Sequence, residues 1–230
     1  MPAKSISTEE QNLVVAPEAG PKLGLQWQLI ILLLLALATG LGFWLGAQRD
    51  PVPDEDAVEV GFARDMATHH AQAVDLSTLL RERSEDPELR QLALDIMLTQ
   101  QAQIGQMQGW LTVWGRPLAT VAPAMGWMGM PVTGLMPGMA SATDVNRLRT
   151  LSGGEADGLF LQLMIIHHRA GVAMARAVLE RTDRAVVRAL AQSMVNGQEN
   201  EIAYMQELRQ RKGLPPVSDA PAMDHANMSH

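Results

Sequence analysis

The chain has 230 residues, a formal charge of −7 and 47% apolar residues, a globular balance that excludes wholesale disorder and, with its acidic charge, a nucleic-acid partner. It contains no cysteine, which removes disulfides, thiolate metal sites, iron–sulfur clusters and a cysteine nucleophile. Aromatics are scarce at 4% while methionine is abundant at 15 residues, so any metal must be held by His, Met, Asp, Glu or backbone groups.

After a polar leader, residues 23–48 carry no charge, and Leu29 to Leu45 are almost wholly apolar. Such a run fits a membrane helix, which needs roughly 20 apolar residues. Trp27 and Trp44 stand near its ends as interfacial aromatics do, with Lys22 before it and Arg49 after it. A cleaved signal peptide would have a shorter apolar core, about 7–15 residues, behind a short basic start. The reading is therefore a cytoplasmic tail over 1–22, a single anchor in the bilayer over 23–48, and an extracytoplasmic remainder. The orientation rests on Lys4 and Lys22 against Arg49 and Arg64.

The remainder repeats itself at an offset of 98 residues. Phe62 meets Phe160, Met66 meets Met164, His69-His70 meets His167-His168, and Gln100 meets Gln198. Ile104 meets Ile202, Met107-Gln108 meets Met205-Gln206, and Gly115 meets Gly213. Sixteen identities fall in the 56 positions from 62 to 117 without a gap, well above chance, so the repeat organises the domain. Each copy reads as a helical hairpin, with helices over about 55–83 and 87–114 in the first copy and 155–181 and 183–212 in the second. Asp86 before Pro87 is a helix start, and Gly115 and Gly213, each followed two residues later by proline, are helix ends. Two hairpins, repeats 55–117 and 153–215, predict an all-α four-helix bundle over 50–213.

Between the copies, residues 117–143 contain no charged side chain but carry Met125, Met128, Met130, Met136 and Met139 among Gly and Pro. A short helix over about 144–151 follows. From Leu214 the chain reads as a flexible tail that ends with Met223, His225, Met228 and His230.

The histidines carry the chemistry, because four of the six fall in the two equivalent pairs. At about 100° per residue, His69 points into the core stripe of Ala73, Leu76 and Leu80, and His70 aligns with Met66 and Glu59 at its flank. The second copy repeats this with Asp157, Met164, His167 and His168. Partner helices offer Gln100, Gln103 and Met107, and Gln198, Glu201 and Met205. Taken singly, each of these methionines reads as core filler. Four imidazoles buried in a small bundle, however, cost stability unless each finds a partner, and a metal would offset that cost. Imidazole with thioether and no thiolate selects copper, Cu(I) above all, over zinc or iron. A di-iron site is disfavoured because no Glu-x-x-His occurs. The expected metal ligands are His69, His70, His167 and His168, then Met66 and Met164, with Met107, Met205 and Glu201 as partners. The Met-rich link and the Met/His tail read equally as weak copper ligands or as a flexible linker and tail.

At this point the residues resemble a known family. "FARDMATHHAQAVDL" at 62–76 and "FLQLMIIHHRAGVAMA" at 160–175 are similar to the hallmark of the family catalogued as domain of unknown function 305. "MPGMA" at 136–140 and "LSGGEADGLF" at 151–160 are similar to its approach to the second His-His pair. The resemblance spans about 55–212. It implies a ferritin-like four-helix bundle, often secreted or membrane-anchored, with some His/Met-rich copper-binding members linked to copper tolerance. The first copy departs from the pattern at Ala67-Thr68, at Asp75-Leu76-Ser77 and at Gln103 in place of Glu.

The expected function is thus a membrane-anchored copper-binding protein, not an enzyme, for sequestration or handover to a copper-transfer partner, with homo-oligomerisation open. A metal oxidase acting on Cu(I) or Fe(II) and a non-metal helical interaction module are the alternatives.

Overall fold

The computed structural model describes residues 24–47 and 51–217. The expected cytoplasmic tail, Arg49, and the Met/His positions 223–230 lie outside the described residues. The chain divides into two units, residues 1–50 and 51–230. The described part of the first is one helix, α1 (Leu25–Ala47), whose stretch Leu25–Phe43 is 19 residues without a charge. Its leucines are exposed, Leu33 and Leu37 at 60% each, and Thr39 satisfies its hydroxyl on the carbonyls of Leu35 and Ala36 within the helix. Length and composition suit a membrane span and equally a signal sequence.

The second unit is all-helical among its described residues. It comprises α2 (Val58–Arg83), α3 (Pro87–Val113), α4 (Ala142–Thr150), α5 (Gly153–Leu179) and α6 (Ala185–Arg211), with one 3₁₀ turn at Gly126–Met128. It contains no strand, only an isolated bridge between Ala124 and Val132. α2 packs along α3, α5 along α6, and α2 against α5.

Helix ends follow local chemistry. The Asp86 carboxylate accepts from the Glu88 N–H (2.9 Å) and the Leu89 N–H (3.4 Å), with Pro87 in the first turn. Ser141 caps α4 by accepting from the Asp144 N–H (3.1 Å). Gly115 (φ 66°) and Gly213 (φ 69°) adopt the left-handed conformation that closes α3 and α6. There the Arg116 N–H returns to the Leu111 carbonyl (2.8 Å) and the Leu214 N–H to that of Arg209 (2.9 Å), a pattern that satisfies carbonyls left over at a helix end. α4 and α5 begin two residues earlier than expected from sequence, at Ala142 and Gly153, where Ser141 and a left-handed Gly153 (φ 52°) turn the chain.

The methionine-rich link is pinned to the helices by part of its length, while residues 117–123 are exposed. Met125 (2% exposed) and Met136 (4%) lie in the core, and Met128 and Met139 pack against it. The Asp65 carboxylate accepts from the Met125 N–H (2.7 Å) and the Trp127 ring N–H (2.9 Å), while the Trp127 ring meets Phe62 edge-on at 5.7 Å. Burial drives the Asp65 carboxyl above the usual carboxylate range, opposed by these two donors. Gln72 clamps Ala140 through both its amide groups (2.6 and 2.9 Å). The expectation of a flexible linker is therefore corrected: an uncharged segment with buriable thioethers closes over α2 because Asp65 and Gln72 satisfy its backbone.

The start of the tail is also held. Arg209 donates to the Pro215 carbonyl, Arg169 donates to that of Val217 (3.0 Å), and the Gln206 amide bridges Val217. Looseness from Leu214 onward thus fails for 214–217.

Candidate metal centre

Buried apolar residues of the second unit fall into two clusters, and both are interrupted at the same level on all four long helices. On α2 one cluster stops at Ala67 and the other starts at Ala73; on α5 the break runs from Ile165 to Val172. On α3 it runs from Ile96 to Ile104, and on α6 from Val195 to Met205, with half-buried Ile202 touching both. Into this gap fall His69, His70, Gln100, Gln103, His167, His168, Gln198 and Glu201. The molecule has a polar layer between two apolar halves.

All four imidazoles are essentially buried: His69, His70 and His168 are 0% exposed and His167 is 1%. This corrects the expectation that His70 lies at a flank. α3, as well as α5, packs on α2, so its buried arc is wider than the core stripe. His69 and His167 stack with ring centroids 3.7 Å apart. His167 Nε2 donates to the His69 carbonyl at 3.0 Å. His70 Nε2 donates to Gln103 Oε1 at 2.7 Å, and His168 Nε2 lies 2.7 Å from Glu201 Oε2. The Nδ1 atoms of His70, His167 and His168 are each buried without a hydrogen bond. His69 has no hydrogen bond of good geometry at either nitrogen, although the Pro137 carbonyl lies close enough to favour its cation weakly.

Desolvation disfavours the cation of three of these rings, His69, His70 and His167. Burial, with the neighbouring His168, lowers His69 to about 4, and burial with His69 lowers His70 to about 3. Burial, then His69, lowers His167 well below its ordinary value. Neutral imidazole is the ligating form, so these rings need shed no proton to bind a metal at neutral pH.

The glutamines complete the layer without satisfying it. Neither amide atom of Gln100 has a partner, and Gln198 Oε1 has none. The Gln198 amide lies over Gly171, where a Cβ would collide with it. Native structures pair the large majority of buried polar atoms, so this layer is unusual in its chemistry.

The remaining expected ligands are distributed differently. Met66 and Met107 share one apolar cluster, Met164 and Met205 the other, and all four are 0% exposed. Glu201 faces the His168 ring. The carboxylates grouped with the pairs from sequence go elsewhere: Glu59 accepts from the Thr182 hydroxyl, and Asp157 pairs with Lys212 (3.2 Å). Among the described residues no three His, Asp or Glu side chains converge as a ready-made metal cage.

Two features escaped the sequence reading. Gln103 was noted as the equivalent of Glu201 but not as the hydrogen-bond acceptor of His70. "MPGMA" covers the layer: Gly138 (φ 77°) sits where a Cβ would strike Ala170 and lie 2.9 Å from the Ile166 carbonyl, beside the His167 backbone. The only signal for that contact was the Gly between two Met residues.

A helical domain with paired histidines on two like hairpins defines the class. The chain belongs to the DUF305 family, "Domain of unknown function (DUF305)", which matches residues 59–209. Among solved structures it is similar to a candidate secreted DUF305 protein of Streptomyces coelicolor, at 45% identity and a TM-score of 0.68 over 71% of this chain and 98% of that one. It is similar to a DUF305 fragment from Deinococcus radiodurans, at 38% identity and a TM-score of 0.58 over 69% and 99%. It is also similar to CopM in its Cu(II)-bound form, at 29% identity and a TM-score of 0.56 over 68% and 97%; CopM was also solved with Cu(I) and with silver. No curated protein matches.

Proposed function

We propose that this protein is a membrane-anchored, extracytoplasmic copper-binding protein whose two helical hairpins form a ferritin-like four-helix bundle around the polar layer. The carrying observation is the set of buried imidazoles with unpartnered ring nitrogens: His69 at both atoms, and His70, His167 and His168 at Nδ1. A metal ion supplies what these nitrogens lack. Copper is the cargo best matched to imidazole beside thioether, and the copper- and silver-bound forms of CopM support the choice.

In this reading His69, His70, His167 and His168 hold the ion. Gln103 and Glu201 orient their rings through Nε2, leaving Nδ1 to face the metal. Met66, Met107, Met164 and Met205 border the layer as soft donors. Met125 and Met136 of the link are buried, so they do not serve as freely exposed capture groups. α1 serves as the anchor, with residues 51–217 outside the cytoplasm. Sequestration or handover follows from a buried site that stores cargo rather than turning over substrate.

A second reading, a non-metal interaction module, is favoured by the lack of a ready-made three-carboxylate or histidine cage. Thermal unfolding of the full chain with and without Cu(I) separates the two. Saturation at 100-fold above Kd stabilises a binder by about 2.7 kcal/mol. An unfolding curve indifferent to Cu(I) and to chelators would favour the interaction module.

A further inference from the structure

We infer that the two hairpins provide half-sites of unequal hardness. The α5–α6 half favours a divalent over a monovalent ion more strongly than the α2–α3 half does, with Gln103 and Glu201 as the positioning residues that set the difference. This rests on the metal-binding reading above and gives it a specificity.

The two halves are a controlled comparison. His70 to Gln103 and His168 to Glu201 are each 33 residues apart and each 2.7 Å between Nε2 and the accepting oxygen. In each half the Nδ1 atom is buried and unpartnered. The difference is the acceptor, a neutral amide in one and a carboxylate in the other. A carboxylate draws the Nε2 proton harder and makes Nδ1 the stronger donor. It also adds a negative charge, whose attraction for a dication is twice that for a monocation at the same place. Glu201 is 25% exposed, so solvent screens part of this attraction without abolishing it.

Sulfur does not separate the halves. The apolar cluster that contains Met66 and Met107 of the first half also contains Met174 of α5 and Met194 of α6, so both hairpins border its thioethers. The acceptor on Nε2 is therefore the difference that sets the two halves apart.

The test uses the full chain in detergent, as wild type, Glu201→Gln, Gln103→Glu and the double exchange. The probes are Ag(I) and Zn(II) alone, each titrated against a competing chelator, with histidine ring nitrogens followed by NMR. In the wild type Zn(II) should shift His168 before His70, with a smaller separation between the two for Ag(I). Glu201→Gln should weaken Zn(II) roughly 10- to 100-fold, the scale for losing such a partner, and Ag(I) by about the square root of that. Gln103→Glu should strengthen Zn(II) at the first half, a gain that misfolding cannot produce, and the double exchange should reverse the order. Equal weakening of both ions by Glu201→Gln, or His70 responding to Zn(II) before His168, overturns the inference. A wild type that binds neither ion overturns the metal-binding reading itself.

Discussion

The two hairpins differ least at the level of the histidines and most away from it. At that level they share the His-His pair, the acceptor 33 residues later and a buried glutamine, Gln100 or Gln198. Elsewhere they diverge. α3 starts on an Asp86 side-chain cap, whereas α6 starts at Arg184 without one. α2 carries Ala73 where α5 carries Gly171, and α2 holds the uncharged cover through Asp65 and Gln72. Packing tolerates many solutions at the ends of a helical pair, but the polar layer has little freedom, because each buried polar atom needs a partner or a ligand.

The largest expected effect is on the layer both hairpins share. His69, His70 and His167 titrate near 6.5 when unfolded and well below that when folded, so the unfolded chain binds more protons in between. Stability from these groups is full above about pH 6.5 and is lost as pH falls toward about 4. The slope is up to about 1.4 kcal/mol per pH unit for each histidine. Denaturant unfolding of the metal-free protein between pH 7 and 4.5 checks this. A His69→Leu, His167→Leu variant should show a shallower loss.

Next comes the cover. Gly138→Ala puts a side chain into a left-handed position against Ala170 and the Ile166 carbonyl. We expect a loss of about 2–4 kcal/mol. Hydrogen exchange should localise the loosening to 134–141 and to the α5 turn around His167.

The helix starts sharpen the comparison further. Asp86→Ala should cost about 1–2 kcal/mol through the cap on α3 and its contact with Lys212 (2.5 Å), measured as a lower midpoint in denaturant. The smallest effect is Gly171→Ala, which makes the second hairpin like the first. Higher helix propensity offsets the displacement of the Gln198 amide, so the net change should stay within about 1 kcal/mol. The ring signals of His168 should nevertheless move if Gln198 is part of the layer.

Much of this was legible in the sequence. The helices, the Asp86 cap and the two glycine ends followed from period and punctuation, which are local properties. So did the family. The pairing of His70 with Gln103 and of His168 with Glu201 was not read, because the helical wheel places a residue on a face but not against a neighbour. His70 looked like a flank residue for the same reason. The cover was misread because its methionines and glycines give no period, and its fixed shape comes from two distant side chains, Asp65 and Gln72. Expected carboxylate partners failed at Glu59 and Asp157, whose bonds to Thr182 and Lys212 lie across the fold.

The most direct test is anaerobic Cu(I) titration of the full chain in detergent against a chromophoric chelator, beside a variant with His69, His70, His167 and His168 replaced by alanine. The account predicts that the native protein takes Cu(I) from the chelator and that the variant, shown folded by circular dichroism, does not. Equal competition by both proteins, or none by the native one, would contradict it.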